Sequence, residues 1–212
     1  VYITRVKALG IEALQAAFDN QYPVEEFRGL RASLEYPVQP VDLPQVWLRY
    51  SDTSPLRQSG VAHVEDVHPV SGGRIPPYTR WRFEGSWEFV VVALSSVERD
   101  RLYDELIATI AWSGFDTVRG RFRSYLEHND LIDLTLRTDE IESTGESAEP
   151  GTPWGTDEVL YERTLNVDMI GDFVPDPETG IIVPLSKIQV VPTVDLTLDN
   201  EARGEDGFGG WH

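Results

Sequence analysis

An α+β fold, with an antiparallel or mixed β-sheet backed by two helices, is what this sequence predicts, and three stretches carry that expectation. Arg80 to Leu94 alternates as a long strand, a capped helix opens at Ser95, and Val159 to Phe173 alternates as a second long strand. No repeating rhythm of strand and helix runs along the chain, which argues for antiparallel pairing over a doubly wound parallel sheet. The 212 residues suit one domain with long excursions, and a 41% hydrophobic share, rich in Trp, Tyr and Phe, can fill a substantial core.

Residues 6 to 18 have helical periodicity. Val6, Leu9, Ala13, Leu14, Ala17 and Phe18 fall on one face, with Lys7, Glu12 and Gln15 off it. Asp19 and Asn20 end the helix, and Pro23 cannot continue it. Leu30 to Tyr36, Val46 to Tyr50 and Val61 to Val67 read as short strands. Pro37, Pro40 and Pro44 impose an extended path between the first two, and Ser71-Gly72-Gly73 with Pro76-Pro77 marks a turn and a stiff linker. Residues 37–78 are therefore expected as a Pro-rich arm or hairpin inserted in the domain.

In the long strand, Trp81, Phe83, Trp87, Phe89, Val91 and Ala93 share one face. Arg80, Arg82, Glu84, Ser86 and Glu88 take the other, until Val90, Val92 and Leu94 make both faces apolar. The strand should thus run from an exposed end into a sheet covered on both sides, and Gly85 within it implies a bulge or a close backbone approach. Ser95 and Glu98 have capping-box spacing at the head of a helix whose stripe is Leu102, Tyr103, Leu106, Ile107 and Ile110, with Gly114 as its stop. Ile132, Leu134 and Leu136 alternate with Asp133, Thr135 and Arg137 as a half-buried strand. Residues 138–157 are acidic and rich in turn formers and read as a loop. The second long strand follows, closed by Pro175, Pro177 and Gly180. Val194, Leu196 and Leu198 suit a last edge strand, which sets the domain at 1–198 and leaves 199–212 as a charged, Gly-rich tail.

Charge narrows the function. Eighteen Lys and Arg face 36 Asp and Glu, a formal net charge of -18, and affinity for nucleic acid comes largely from basic groups neutralising phosphates. Gripping a duplex is disfavoured, as is an anionic membrane, whereas a wall along which DNA slides without sticking fits. No apolar run is long enough to span a bilayer. Val1 to Gly10 lacks the basic-then-apolar layout of a secretory signal, so a soluble protein made and used in the cytoplasm is the expectation. With no Cys, disulfides, thiolate nucleophiles and Cys-based zinc sites are excluded.

The sequence has no Walker-type phosphate loop, no Gly-x-Gly-x-x-Gly, no Gly-x-Ser-x-Gly elbow and no His-Glu-x-x-His. His63-Val64-Glu65-Asp66-Val67-His68 is a polar cluster, but on a strand His63 and Glu65 share a face with His68 opposite, and nothing fixes a third metal ligand. Glu84 with Glu88, and Glu162 with Asp168, share strand faces as a glycosidase pair could, and as the wet side of an acidic protein also would. Trp81 and Trp87 could stack on a sugar, yet they share their face with Phe89 and Val91, which points to core packing. No catalytic residue, metal or cofactor is expected. Trp154 sits in the turn-rich Pro150 to Thr156 segment and Phe208 and Trp211 in the tail. With Trp81, at the exposed end of its strand, these are the candidate contacts with a second copy or a partner.

A leading amphipathic helix, a long aromatic strand ending Phe89-Val90-Val91-Val92-Ala93-Leu94, a helix opened by Ser95-Ser96-Val97-Glu98-Arg99-Asp100 and a strand over Tyr161 to Phe173 together resemble tailed-phage neck proteins. Leu34-Glu35-Tyr36-Pro37 and Pro150-Gly151-Thr152-Pro153-Trp154-Gly155-Thr156-Asp157-Glu158 look like segments of structural proteins of phages that infect actinobacteria. In element order the chain is similar to the tail terminator family, that of phage lambda included, over about residues 6 to 20 and 80 to 173. The resemblance implies a non-enzymatic virion protein that assembles in the host cytoplasm as a homo-oligomeric, six-fold ring. Such a ring caps the tail tube and docks on the head connector, so its partners are further copies of itself, the tube protein and the connector proteins. DNA passes through it without specific binding, and a lumen placed among Asp139, Glu140, Glu142, Glu146 and Glu149 would repel phosphates. The Pro-rich stretch and the tail depart from a minimal terminator, which leaves a head-to-tail connector, a tail-completion protein or a minor tail protein as the alternative. A carbohydrate-binding or carbohydrate-cleaving β-rich protein is the alternative of another class.

Overall fold

The computed structural model describes residues 2–19, 30–64, 78–111, 121–150, 155, 158–176, 181–185 and 188–189. In chain order the elements are α1 (Tyr2–Asp19), β1 (Arg31–Ser33), a 3-10 turn (Pro40–Asp42), β2 (Gln45–Asp52), β3 (Arg57–Val64), β4 (Tyr78–Ala93), α2 (Ser96–Ala111), α3 (Arg121–Glu127), β5 (Ile132–Pro150), β6 (Val159–Pro175), β7 (Ile182–Val183) and β8 (Ile188–Gln189). The class is the one expected, α+β, with helices against one mixed sheet.

The alternating strand of the sequence becomes β4, the centre of that sheet. One edge of β4 pairs antiparallel with β6 from Ala93↔Tyr161 to Trp81↔Phe173. The other edge is shared end to end by β2, from Gln45↔Val92 to Asp52↔Gly85, and β3, from Arg57↔Arg82 to Ala62↔Tyr78. β5 extends the sheet beyond β6, and β1 joins β2 in parallel, which makes the sheet mixed. β7 and β8 are two-residue additions to β6 and β3.

Period-two alternation sends Phe83, Trp87, Phe89 and Val91 to one face of β4, and all three helices bury their apolar stripes there. Val6, Leu9, Leu14 and Phe18 come from α1, Leu102, Leu106 and Ile110 from α2, and Phe122 and Leu126 from α3. Gly10 is what lets α1 settle on the sheet. A Cβ there would stand 2.8 Å from Leu48 and 3.0 Å from the Trp87 ring, so only hydrogen leaves room for the indole. α2 begins directly after Ser95, whose carbonyl accepts the first helical bond from the Arg99 N–H at 3.0 Å; its expected stop, Gly114, lies outside the described residues.

On the reverse face Val90, Val92 and Leu160 form a second, smaller cluster, covered by Tyr36, Leu43 and Trp47. The double-sided apolar end of β4 is therefore real at Val90 and Val92, where Leu43 and Trp47 of the Pro-rich segment help to cover it, whereas Leu94, past the end of the strand, is exposed. Tyr36 and Trp47 meet edge to face at 5.1 Å, and the Trp47 indole N–H donates to the Leu34 carbonyl at 3.1 Å. Within 37–78, expected as an arm or hairpin, the described residues 45–64 are instead strands on the edge of β4; residues 65–77 lie outside the described residues. The path expected to be extended throughout is so at Gln39 and Leu43, but Pro40 opens the 3-10 turn Pro40–Asp42 between them.

A larger correction concerns 138–157. Its first thirteen positions, 138–150, are not a loop but the continuation of β5 along β6. Two shifts of register, between Arg137 and Ile141 and between Thr144 and Ser147, absorb the surplus residues, Gly145 among them. Local composition favours a turn there, and pairing with a long neighbouring strand overrides it. The seven-residue α3 is an addition to the two helices expected.

Candidate assembly surface

With the helices gathered on one side, the register of β2 to β6 lays out a polar band on the other. Successive rungs read Arg49, Glu88 and Asn166; Ser51, Ser86, Asp168 and Arg137; Glu84, Ile170 and Thr135; and Arg57, Arg82, Asp172 and Asp133. Pairing within the band is specific. Arg49 lies 3.5 Å from Glu88 and places its guanidinium 4.5 Å over the Trp47 ring. At the far end Arg82 grips Asp172 with two bonds, Nε at 3.1 Å and a terminal nitrogen at 3.0 Å, while Arg80 stands 3.2 Å from Asp133 and 3.5 Å from Asp172. Asp172 is only 6% exposed, and the Arg80 and Arg82 guanidinium groups stand where its carboxylate has lost water. The same carboxylate holds the Arg82 guanidinium above its ordinary pKa, first by the hydrogen bond and then by charge.

A second polar cluster joins α1 to β2. Tyr2 donates to Asp52 at 2.5 Å and Tyr50 donates to the same oxygen at 2.8 Å. Burial, and then the bond to Asp52, raise both phenols well above the usual tyrosine range, so each stays a donor. Beside it lies a shallow depression of about 580 Å³ lined by Tyr2, Ile3 and Asp52 to Leu56. A trough of about 530 Å³ lies between α3 and the start of β5, with Arg123, Leu126, Glu127, Leu134, Leu136 and Leu185 among the residues that line it.

The residues singled out in the sequence are scattered over this frame. Trp87 is sealed in the core at 0% exposure, while Trp81 is half-buried against the same cluster, opposite Phe173. The two indoles therefore make no shared platform for a sugar. Trp154, Phe208 and Trp211 lie outside the described residues. Asp139, Glu140, Glu142, Glu146 and Glu149 all belong to β5. Glu142 stands opposite Asn166 and Glu149 opposite Leu160, with Asp139, Glu140 and Glu146 inside the two register shifts. They are strung along one strand, which pairs with β6 alone among the described residues.

Neither carboxylate pair has glycosidase geometry. Glu84 and Glu88 are four residues apart on a strand, about 13 Å, and Glu162 and Asp168 six residues, about 20 Å, against the roughly 5–10 Å that either stereochemical route needs. Glu84 accepts from the Ser54 hydroxyl at 2.9 Å, and Glu162 accepts from the Tyr36 hydroxyl. His63 lies on β3 opposite Gln189, with Glu65 to His68 outside the described residues. Among the described residues no group of three or more His, Cys, Asp or Glu is placed to hold a metal, and no helix is long and apolar enough to cross a membrane.

Sequence reasoning missed the Arg80–Arg82–Asp133–Asp172 network. Its one signal was two Arg at i and i+2 on β4, with an Asp at the matching rung of each of two later strands. The comparisons add nothing to this geometry: no family model matches the chain, and no curated protein matches it either.

Proposed function

We propose that the protein is a virion structural protein, a tail terminator whose copies close into a ring that caps the tail tube and joins it to the head connector. The observation that carries this reading is the lopsided slab. β4, β5 and β6, of 16, 19 and 17 residues, keep the helices of the described residues on one face and set charged rungs such as Arg49 with Glu88, and Arg82 with Asp172 and Asp133, on the other. A ring needs heterologous contacts between unlike surfaces, and the β5 edge and the β1–β3 side of one subunit are unlike. Five carboxylates along β5, in a chain of net charge -18, suit a surface that DNA passes without specific binding. Trp81, Trp154, Phe208 and Trp211 remain the candidate contacts with neighbouring copies, the tube protein and the connector.

Negative-stain images and native mass of the purified protein, alone and with tail tubes, test this directly. Rings of one size, six-fold in the simplest case, and decoration of tube ends are expected. A monomer that ignores tube ends would sink the proposal. Labelling of assembled particles separates a terminator at the tube end from a connector, a tail-completion protein or a minor tail protein elsewhere in the neck or tail.

A further inference from the structure

The turn between β2 and β3 is tied back onto β4. The Thr53 and Ser54 N–H groups donate to the Glu84 carbonyl at 3.0 and 3.4 Å, and the Ser54 hydroxyl donates to the Glu84 carboxylate at 2.9 Å. Across from it the start of α1 is held by Tyr2, which donates to Asp52 at 2.5 Å and stacks on Phe173 at 4.9 Å. The depression of about 580 Å³ between turn and helix thus has walls fixed by bonds, and Ile3 and Leu56, both exposed, line it. A preorganised surface of this kind loses little freedom when something docks on it. Beside Leu56, Arg57 is exposed and stands directly opposite Arg82, whose two bonds are spent on Asp172. Like charges so placed repel. Arg5, Arg31, Arg49, Arg80 and Arg82 each have a carboxylate within 3.5 Å, and among the described residues Arg57 has none. In a chain with 36 acidic residues to 18 basic ones, that Arg is out of balance.

The corner where β4 passes into α2 carries the complementary pattern. Leu94 and Val97 are exposed there, Val97 at 66%, and Glu98 follows Val97 as Arg57 follows Leu56. An apolar pair with an acid beside it matches an apolar pair with a cation beside it. One chain cannot bring the two together. β2 and β4 pair from Asp52↔Gly85 to Gln45↔Val92, a span of about 24 Å at the rise of a strand. The turn that walls the depression leaves β2 beyond Asp52, and the corner leaves β4 beyond Val92. A contact between them therefore joins two copies. Because the surfaces are unlike, a copy that docks by its corner leaves its own depression open to the next, which is the heterologous contact that closes a ring.

We propose that the β4–α2 corner of one copy seats in the depression of the next, setting Leu94 and Val97 against Ile3 and Leu56 and Glu98 against Arg57. This inference rests on the ring reading for its self-association and names the contact that builds the ring; it does not depend on what the ring caps.

The absence of Cys makes the test clean. Mildly oxidised, the full-length Leu56→Cys/Val97→Cys variant should run as a ladder of covalent multimers. A mixture of the Leu56→Cys and Val97→Cys single variants should stop at heterodimers. Val38→Cys/Val97→Cys controls for random collision, since Val38 is 60% exposed, and should link about tenfold less because its thiols are not held together by docking. Arg57→Glu or Glu98→Arg should weaken self-association about tenfold in sedimentation velocity, and the combined Arg57→Glu/Glu98→Arg variant should recover it. Oligomers that give no ladder, or a control that links equally, would overturn this contact and leave the ring reading standing. A ladder that stops at the dimer would mean a closed two-fold pair and would overturn the head-to-tail arrangement. Charge variants without rescue would overturn the Arg57–Glu98 pairing. A protein that stays monomeric at every concentration would overturn both this contact and the ring.

Discussion

Asp133 and Asp172 stand directly opposite each other on β5 and β6, and the Arg80 guanidinium reaches both carboxylates, at 3.2 and 3.5 Å. Like charges on a cross-strand pair repel; the third strand over supplies the cation that makes the pair tolerable. Three strands are thereby tied at one point by charge as well as by their ladders.

Asp172 should be the sensitive member of that network. Asp172→Ala leaves two guanidinium groups without their buried partner and should cost about 2 kcal/mol in urea unfolding. Arg82→Ala should cost about 1 kcal/mol or less, because the Arg82 side chain is half exposed. A double-mutant cycle giving no coupling between the two would show that the network is only decorative.

Two glycines in the strands are seats for aromatic rings. A Cβ at Gly85 would run into the Tyr50 ring and one at Gly171 into Phe83, whereas a Cβ at Gly60 meets nothing within 4 Å among the described residues. Gly85→Ala and Gly171→Ala should each lower stability by about 1–3 kcal/mol through overpacking. Gly60→Ala should be neutral or stabilise by about 0.5 kcal/mol, since it only restricts the unfolded chain. Equal thermal midpoints for all three would contradict the ring contacts.

The Tyr2–Asp52–Tyr50 cluster predicts alkaline sensitivity. Both phenols have folded pKa values raised above the unfolded value of about 10, so the neutral form is the one the fold favours. Their contribution is fully present below pH ~10 and is lost as pH rises above it. Urea midpoints taken from pH 8 to 11 should fall more steeply for the wild-type protein than for Tyr50→Phe. Superimposable profiles would mean that the cluster is not coupled to folding.

Trp87 and Trp81 share a face of β4 but not an environment. Trp87→Ala should cost about 3–5 kcal/mol by emptying a sealed site. Trp81→Ala should cost markedly less and, if the half-buried ring meets a neighbouring copy, should weaken ring formation at protein concentrations where the fold is intact. Sedimentation velocity reads the second effect separately from thermal unfolding.

The parts of this molecule that could be read in its sequence are those whose signal is local. The alternation of Trp81 to Ala93 and the stripe of α1 were legible because each covers many periods, and Gly85 correctly announced a close approach, that of Tyr50. α3 has only Phe122 and Leu126 to mark its buried side, too short a stripe to stand out. Residues 138–150 were misread because Ser143, Gly145, Ser147 and Pro150 speak for a turn, while the pairing that decides their state comes from β6. The Arg82–Asp172 bond joins residues 90 positions apart, and no local pattern carries it. Among the acidic residues placed in a lumen, membership of one strand could not be foreseen, because that strand was itself read as a loop.

The position of β4 has a consequence for how the chain comes off the ribosome. Its first half of neighbours, α1, β2 and β3, is synthesised before it, but the edge from Trp81 to Ala93 is completed only by Tyr161 to Phe173. Until those residues emerge, a strand bearing Trp87, Phe89 and Val91 has one side unpaired for some eighty residues of elongation. Translation stalled ahead of Val159 should therefore yield a nascent chain that chaperones hold, and protease resistance should appear in a single late step once β6 has cleared the exit tunnel.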